Sequence, residues 1–284
     1  MKEEIRQKLT GAVIGLARTC ENNEKTENTN RVFLEALTVA GDWSASIFDM
    51  SEMLEKARKY EDEQGKQIKA EDRPAFHITP YVGWMNDPNG FSYYNGAYHM
   101  FYQFYDDTKW GPMHWAHATS KDLIHWEEQP IALYPDANGA MFSGCIVADE
   151  KNTSGLFGDG NEGGLVALIT ADGNGQRIKV AYSTDEGKTW KKTNKIAADW
   201  SKDPLNNRDF RDPKVFRWEN KWFMVIAGGP LRIYSSDNLT DWKCESTYAD
   251  LHTECPDLYP IETKDGVKWV LSRGGRFYEV GDFK

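Results

Sequence analysis

Three stretches of the chain repeat one theme: SKDLIHW (residues 120–126), STDEGKTW (residues 183–190) and SDNLTDW (residues 236–242). Each contains a serine, a turn with aspartate and then a tryptophan, and an apolar strand-like segment precedes it. The tryptophans are 64 and 52 residues apart (190 − 126 and 242 − 190), close to the span of a four-stranded propeller blade with variable loops. The repeat therefore predicts a β-propeller in which each tryptophan opens an outer strand.

The chain divides into two regions with different hydrophobic periods. Residues 1–73 carry apolar residues at helical spacing in three segments, which predicts about three helices. From residue 74 onward, short aromatic and β-branched runs alternate with Gly, Asn and Asp, as in GAYHMFYQF (residues 96–104), which favours antiparallel strands. We therefore predict a mainly β protein, with a propeller domain over residues 74–284. The helical N-terminal region over residues 1–73 is interpreted as a packing or oligomerisation element.

Composition argues against several classes of function. Lys plus Arg number 34 and Asp plus Glu number 44, giving a formal net charge of −10 with no basic cluster, so we expect no nucleic-acid partner. No segment approaches the roughly 20 apolar residues of a membrane span, so we expect no membrane partner. Widely spaced cysteines and an N-terminus without a signal-peptide core favour free thiols and a cytoplasmic location; the cysteines are Cys20, Cys145, Cys244 and Cys255.

Acidic residues recur in turns just ahead of the predicted innermost strands. Asp87 lies in WMNDPNG (residues 84–90), Asp212 in RDP (residues 211–213) and Glu254 in ECPD (residues 254–257). A tight turn alone would explain each Asp-Pro pair taken singly. Inner strands surround the axis of a propeller, however, so the acids should meet at one mouth of the channel although they are 125 and 42 residues apart. The recurrence therefore favours a functional pocket.

Carboxylates that face a polar, aromatic-lined pocket are what glycoside hydrolysis requires. One ionised carboxylate attacks the anomeric carbon while a second, protonated, donates to the leaving oxygen. A separation of about 5 Å between them gives retention, and one of about 7 to 9 Å gives inversion. A third acid can hold sugar hydroxyl groups and stabilise the positive charge of the transition state. The pattern alone does not assign these roles to individual acids.

The ordered motifs resemble glycoside hydrolase family 32, which contains invertases and fructan hydrolases. The resemblance runs from about His77 to the C-terminus and rests on six motifs: WMNDPNG (84–90), QF (103–104), WGPMHWAHATSKDLIHW (110–126), FSG (142–144), RDP (211–213) and ECPD (254–257). It implies a propeller of the five-bladed type, of which this chain would contain about three and a half blades.

The resemblance also implies roles for individual residues. Asp87 would be the nucleophile, Glu254 the general acid and base, and Asp212 the stabiliser that binds fructosyl hydroxyl groups. Positions that line the fructose subsite in the family are matched by Asn86, Gln103, Trp110, Phe142, Ser143 and Arg211. The implied reaction releases terminal β-D-fructofuranosyl residues from sucrose, sucrose 6-phosphate or short fructans. It proceeds with retention, through a covalent fructosyl-enzyme, and without a cofactor.

The sequence leaves several alternative functions open. A propeller with missing blades leaves exposed strand edges, so a non-catalytic sugar-binding or degenerate fragment is the main rival, and a second copy or another chain completing the ring is a candidate partner. A propeller hydrolase of arabinosides or xylosides would also use three acids, but the ordered motifs argue against it. Three histidines, His99, His114 and His117, suggest a metal site. We expect their strands to direct them to different faces, and therefore expect no metal.

Overall fold

The computed structural model of the chain describes residues 50–284, with gaps at residue 75, residue 159 and residues 161–162. This part contains one α-helix, α1 (Met50–Gln64), and fifteen strands in four sheets. Sheet 1 contains β1 (Trp84–Tyr94), β2 (Ala97–Tyr105), β3 (His114–Ser120) and β4 (Trp126–Leu133). Sheet 2 contains β5 (Ala140–Asp149), β6 (Gly164–Gly173), β7 (Gly175–Ser183) and β8 (Lys191–Asp199). Sheet 3 contains β9 (Arg211–Trp218), β10 (Lys221–Ala227), β11 (Gly229–Ser236) and β12 (Lys243–Thr253). Sheet 4 contains β13 (Asp257–Thr263), β14 (Gly266–Arg273) and β15 (Phe277–Gly281).

The four sheets are arranged as the blades of a β-propeller. Each is an antiparallel meander in chain order, so its first strand lies at one edge and its last strand at the other. The first strands pack beside one another: β5 contacts both β1 and β9, and β9 also contacts β13. These inner strands surround the propeller axis. The prediction of a mainly β propeller is confirmed, and the described part forms three four-stranded blades and one three-stranded blade.

The serine–tryptophan repeat is the turn between the third and fourth strands of a blade. In sheet 2, the backbone N–H of Gly187 donates to Ser183 Oγ (2.9 Å) and Trp190 Nε1 donates to Gly187 O (2.9 Å). The corresponding tryptophan bonds are Trp126 Nε1 to Leu123 O (3.3 Å) and Trp242 Nε1 to Leu239 O (2.8 Å). A side chain that satisfies the backbone of its own turn stabilises that turn locally. The repeat thus marks blade architecture and takes no part in the candidate site.

An apolar cluster fills each interface between neighbouring sheets. Phe101, Leu133, Met141 and Ile169 lie between sheets 1 and 2. Leu168, Phe210, Val215 and Met224 lie between sheets 2 and 3, while Val225, Leu258 and Trp269 join sheets 3 and 4. Burial of this surface is the main force that docks one blade on the next. Because the interfaces run beside the inner strands, they also fix the spacing of the turns at the channel mouth.

Helix α1 packs on sheet 1. Ala57 is fully buried against Tyr102, Phe104 and Ile131. A small residue at this point lets the helix approach the aromatic side chains of β2 closely. The two helical segments predicted before residue 50 lie outside the described residues, and the domain boundary at residues 73–74 stays a prediction. Among the described residues, no helix is both long and apolar enough to cross a membrane.

Candidate active site

A closed hydrogen-bonded ring surrounds Asp87 near the start of β1. Ser143 Oγ, from β5, donates to Asp87 Oδ2 (2.6 Å), and Gln103 Nε2, from β2, donates to Ser143 Oγ (3.0 Å). Asn86 Nδ2 donates to both Gln103 Oε1 (3.1 Å) and Asp87 Oδ1 (3.1 Å). Both carboxylate oxygens therefore accept a hydrogen bond from a neutral side chain. This ring, here called the Asp87 ring, holds the carboxylate in one orientation.

Asn89 lies behind the Asp87 ring and joins its two blades. Its side chain is buried; Nδ2 donates to Asp87 O (3.2 Å), and Oδ1 accepts from the backbone N–H of Gly144 (3.1 Å). The amide thus links the turn that carries Asp87 to the turn that carries Ser143. Sequence reasoning treated this asparagine only as part of a turn, although it stands inside the same motif.

A charged cluster forms the other side of the mouth. Arg211 Nη2 donates to Glu254 Oε1 (2.5 Å), and Arg211 Nε lies 3.9 Å from Asp212 Oδ2. The backbone N–H of Cys255 donates to Asp212 Oδ2 (3.0 Å), while the N–H of Asp212 donates to Thr170 Oγ1 (3.0 Å). Arg211, Asp212 and Glu254 are called the Arg211 cluster below. In contrast to the Asp87 ring, its members contact one another through ionic interactions, and backbone N–H groups link Asp212 to its surroundings.

The three acids of the mouth differ in their surroundings. The Glu254 side chain is 66% exposed, whereas that of Asp212 is 8% exposed. Burial raises the pKa of Asp212; the Cys255 N–H and the Arg211 charge oppose this rise, and the Asp87 carboxylate adds to it. Ser143 of the Asp87 ring and Asp212 of the Arg211 cluster line one cavity, so the two groups lie beside one another. Sequence reasoning placed these acids at one mouth, and the structure brings them together there.

The backbone of the Arg211 cluster adopts unusual conformations. Asp212 and Cys255 have φ angles of +61° and +45°, a region that residues other than glycine rarely occupy. Such conformations concentrate at functional sites, where the surrounding contacts hold them in place. The Cys255 Sγ lies 3.7 Å from Asp212 Oδ2, and desolvation together with the Asp212 and Asp87 carboxylates raises the pKa of this thiol to about 12. The thiol is therefore neutral at physiological pH.

A cavity of about 290 Å³ lies beside both groups, and it is lined by Ser143 of the Asp87 ring and Asp212 of the Arg211 cluster. Its polar wall contains Asn89, Ser143, Asp212 and Cys255, and its apolar wall contains Phe91, Met100, Ile146 and Val215. Outside the cavity lining, Trp110 is 56% exposed and packs edge-on against Phe142, with ring centroids 6.1 Å apart. A cavity wall with one acid, Asp212, and other polar groups suits a small hydroxylated ligand such as a sugar.

Sequence reasoning missed two further residues that hold the Arg211 cluster. Thr170 in β6 accepts the Asp212 N–H, and Gln176 in β7 accepts from the Phe210 N–H and from Arg211 Nη1. Both belong to sheet 2, and no motif marks either of them. The available signal was weak: each is a polar residue in a strand whose neighbours are largely buried.

The histidines are arranged differently from the expectation. His99 Nδ1 lies 3.1 Å from His117 Nε2, both residues are buried, and His117 stacks on Phe101 with ring centroids 4.0 Å apart. The expectation that the strands direct them to different faces is wrong for this pair. His99 is paired with Thr119 in the ladder, so His117 is its diagonal neighbour on the same face. Within the described residues, no three His, Cys, Asp or Glu side chains are grouped to hold a metal ion.

Comparison with known proteins gives consistent matches. The family described as "Glycosyl hydrolases family 32 N-terminal domain" matches residues 77–279. A fructan beta-fructosidase of Streptococcus mutans is 73% identical over 213 residues, which are 75% of this chain and 15% of that protein. A levanase of Bacillus subtilis is 45% identical over 240 residues, covering 74% of this chain and 34% of the levanase. The structure of beta-fructofuranosidase from Schwanniomyces occidentalis complexed with fructosyl-erythritol has a TM-score of 0.64 at 36% identity, covering 74% of this chain and 46% of that one. The chain spans less than half the length of these relatives.

Proposed function

Because the chain belongs to glycosyl hydrolase family 32, we propose that it takes part in the hydrolysis of terminal β-D-fructofuranosyl residues. The observation that carries this proposal is that the Asp87 ring and the Arg211 cluster each contribute a side chain, Ser143 and Asp212, to the wall of one cavity. A fixed carboxylate on one side and an exposed carboxyl beside an arginine on the other are the two groups that glycoside hydrolysis uses. No cofactor is needed for this chemistry.

The proposed reaction has two steps. Asp87, fixed by Ser143 and Asn86, attacks the anomeric carbon of the fructosyl unit and forms a covalent ester, while protonated Glu254 donates its proton to the leaving oxygen. In the second step, ionised Glu254 takes a proton from water, and the oxygen of that water attacks the anomeric carbon and releases Asp87. Two displacements at one carbon retain its configuration.

The remaining residues of the site would hold the sugar. Asp212 is buried beside the mouth and accepts from the Cys255 N–H, and we assign it to the fructosyl hydroxyl groups and to the positive charge of the transition state. The exposed faces of Trp110 and Phe142 are assigned to the apolar side of the ring. We place fructans first among the substrates, because the 73% identical relative is named a fructan beta-fructosidase. Sucrose and sucrose 6-phosphate follow.

We also propose that the complete propeller has five blades, as the resemblance implies. Phe91 and Tyr93 in sheet 1 are 53% and 60% exposed, and Phe277 and Tyr278 in sheet 4 are 63% and 72% exposed. Exposed aromatic residues on the first and the last sheet suit a further sheet packed between them. Residues of the same polypeptide or a second chain would supply it. Light scattering of the purified chain tests the second source, since a monomer at micromolar concentration contradicts it.

The compartment is a separate proposal. Cys145, Cys244 and Cys255 are free thiols, which supports a reducing, cytoplasmic environment. Immunodetection of the protein in fractionated cells tests this, and recovery in the culture medium would contradict it.

The function is tested by fructose release from levan, inulin, sucrose and sucrose 6-phosphate. The purified chain is compared with Asp87→Asn and Glu254→Gln, and with the exposed controls Asp237→Asn and Glu262→Gln. Release that persists in both controls and is lost in both site variants supports the proposal. A folded chain that binds fructose without releasing it from any substrate favours the alternative, a non-catalytic sugar-binding propeller.

A further inference from the structure

Gln176 connects sheet 2 to the Arg211 cluster. It lies in β7 and is 7% exposed; Oε1 accepts from the Phe210 N–H (2.8 Å) and from Arg211 Nη1 (3.2 Å). Its Nε2 donates to Asp172 Oδ1 (3.1 Å). Two donors at the oxygen and a carboxylate at the nitrogen allow only one orientation of the amide. The acceptor end of Gln176 is therefore fixed toward Arg211.

The Arg211 guanidinium is held from three directions. Gln176 Oε1 (3.2 Å) and the exposed Asp209 Oδ1 (3.5 Å) lie beside Nη1, Glu254 contacts Nη2, and Asp212 lies beside Nε. Burial opposes the charge of Arg211, but Glu254, Asp212 and Asp209 outweigh it and raise the pKa of this side chain. The guanidinium is thus a permanent, planar cation whose rotation decides where its outer nitrogen points.

Glu254 depends on that rotation. It lies between β12 and β13, and its side chain is 66% exposed, so packing restricts it little. The hydrogen bond from Arg211 Nη2 is the contact that orients its carboxyl group. Any rotation of the guanidinium displaces this carboxyl group relative to Asp87.

We propose that Gln176 is a positioning residue that sets the rotation of Arg211 and, through it, the place of Glu254. The inference rests on the proposed role of Glu254 as general acid and base. A neutral acceptor suits the position, since a buried carboxylate there, in addition to the exposed Asp209, would compete with Glu254 for the guanidinium. The amide also keeps Asp172 one side chain away from Arg211. Gln176 in sheet 2 thus fixes the orientation of Arg211 in sheet 3 without adding a charge to the mouth.

The test uses the different demands of two leaving groups. Departure of an alcohol from sucrose needs a proton from Glu254, whereas a nitrophenolate leaves without one. For Gln176→Leu, we expect kcat/KM to fall about 30-fold on sucrose, as misplaced catalytic groups do, and less than threefold on 4-nitrophenyl β-D-fructofuranoside. Since kcat/KM reports only the steps up to departure of the leaving group, the second displacement does not enter.

Two control variants frame this measurement. Gln129→Leu removes a comparable amide from sheet 1, where its Nε2 donates to Thr119 Oγ1, and should leave both values unchanged. Gln176→Glu keeps both acceptor contacts but adds a carboxylate that competes with Glu254 for the guanidinium, so it should also lower kcat/KM on sucrose more than on the nitrophenyl fructoside. Equal losses on both substrates, or no loss on sucrose, would overturn the proposal, because a general structural role affects both leaving groups alike.

A second readout keeps the inference separate from the proposed function. If the unmodified chain releases no fructose, the function fails, and ¹⁵N NMR of the Arg211 guanidinium then tests the positioning role alone. Restricted rotation in the unmodified chain and free rotation in Gln176→Leu support it. Identical Arg211 signals in the two proteins contradict it. Should Gln176→Leu fail to fold, Gln176→Asn, whose shorter side chain does not reach Arg211 Nη1, is measured in the same way.

Discussion

The Asp87 ring and the Arg211 cluster lie beside the same cavity, but different kinds of contact hold them in place. The ring is closed, and neutral side chains from sheets 1 and 2 supply its hydrogen bonds. The cluster is open toward solvent at Glu254 and relies mainly on charges and on backbone N–H groups, with Gln176 as one neutral side-chain acceptor. A group that must attack one carbon atom benefits from a fixed position. A group that gives up and takes back a proton needs access to water. The difference between the two sides therefore matches the two roles proposed for them.

Removal of each carboxylate in turn should have the largest effect on activity and tests whether the two groups differ in role. Asp87→Asn should lower kcat/KM on both sucrose and the nitrophenyl fructoside by about 10⁴-fold or more, since no nucleophile remains. Glu254→Gln should lower the sucrose value about 10³-fold and leave the nitrophenyl value within about tenfold. Initial rates of fructose and nitrophenol release measure both. If Asp87→Asn spared the nitrophenyl fructoside and Glu254→Gln did not, the proposed roles of the two residues would have to be exchanged.

The largest expected effect on stability comes from a buried ion pair that holds the loop ahead of Arg211. Arg232 and Asp203 form a fully buried ion pair (2.5 Å), and Arg232 Nη1 also donates to Ala227 O and Pro230 O. Arg232→Met leaves the Asp203 charge buried and unpaired, so the free energy of unfolding should fall by about 3–5 kcal/mol. Denaturant titration measures it.

The double variant Arg232→Met with Asp203→Leu is the matched control for this pair. It removes both charges and should regain at least half of the loss. A single variant that is as stable as the unmodified chain would show that this ion pair does not support the loop ahead of Arg211.

A smaller effect separates side-chain donors from backbone donors. Ser143→Ala removes the hydroxyl that donates to Asp87 Oδ2, and kcat/KM should fall about 10- to 100-fold on either substrate. Cys255→Ala keeps the backbone N–H that donates to Asp212, so its kcat/KM should change less than about threefold. Kinetics of both variants at one pH test this contrast. A larger loss in Cys255→Ala than in Ser143→Ala would reverse it.

The last prediction concerns how the free energy of unfolding depends on pH through the buried histidines of sheet 1. Burial and the neighbouring His99 lower the pKa of His117 to about 3, and burial lowers that of His114 to about 4. Their pKa values are thus lower in the folded protein than in the unfolded chain, so stability is full above pH ~6.5 and is lost as the pH falls. Because the unfolded chain takes up a proton at each histidine, the free energy of unfolding should fall by about 1.4 kcal/mol per histidine and pH unit between pH ~6 and ~5.

His117→Gln provides the control for this pH dependence. Glutamine takes up no proton in this range, so the slope of unfolding free energy against pH should become shallower by the contribution of one histidine. Chemical denaturation at pH 7, 6 and 5 gives both slopes. An unchanged slope would mean that His117 does not limit the acid stability of sheet 1.

The sequence predicted those features that a local pattern encodes. The serine–tryptophan turns are local, since each is held by bonds within seven residues, and they gave the blade architecture. Motif turns carry Asp87, Asp212 and Glu254, and propeller geometry then placed them at one mouth. Thr170 and Gln176 were not predicted, because their partners lie 42 and 35 residues away, in another blade. The contact of His99 with His117 was missed for a related reason, since it depends on strand register.

The hydrogen bonds from Ser143 to Asp87 and from Arg211 to Glu254 each join two parts of the chain that are far apart in sequence, and this has a consequence for synthesis on the ribosome. The Asp87 ring is complete in sequence once Ser143 has been made, whereas the Arg211 cluster waits for Glu254, 111 residues later (254 − 143). At about 5–20 residues per second, roughly 5–20 s separate the two events. A nascent chain therefore contains every residue of the Asp87 ring well before it contains Glu254, so the two groups become available for folding in a fixed order.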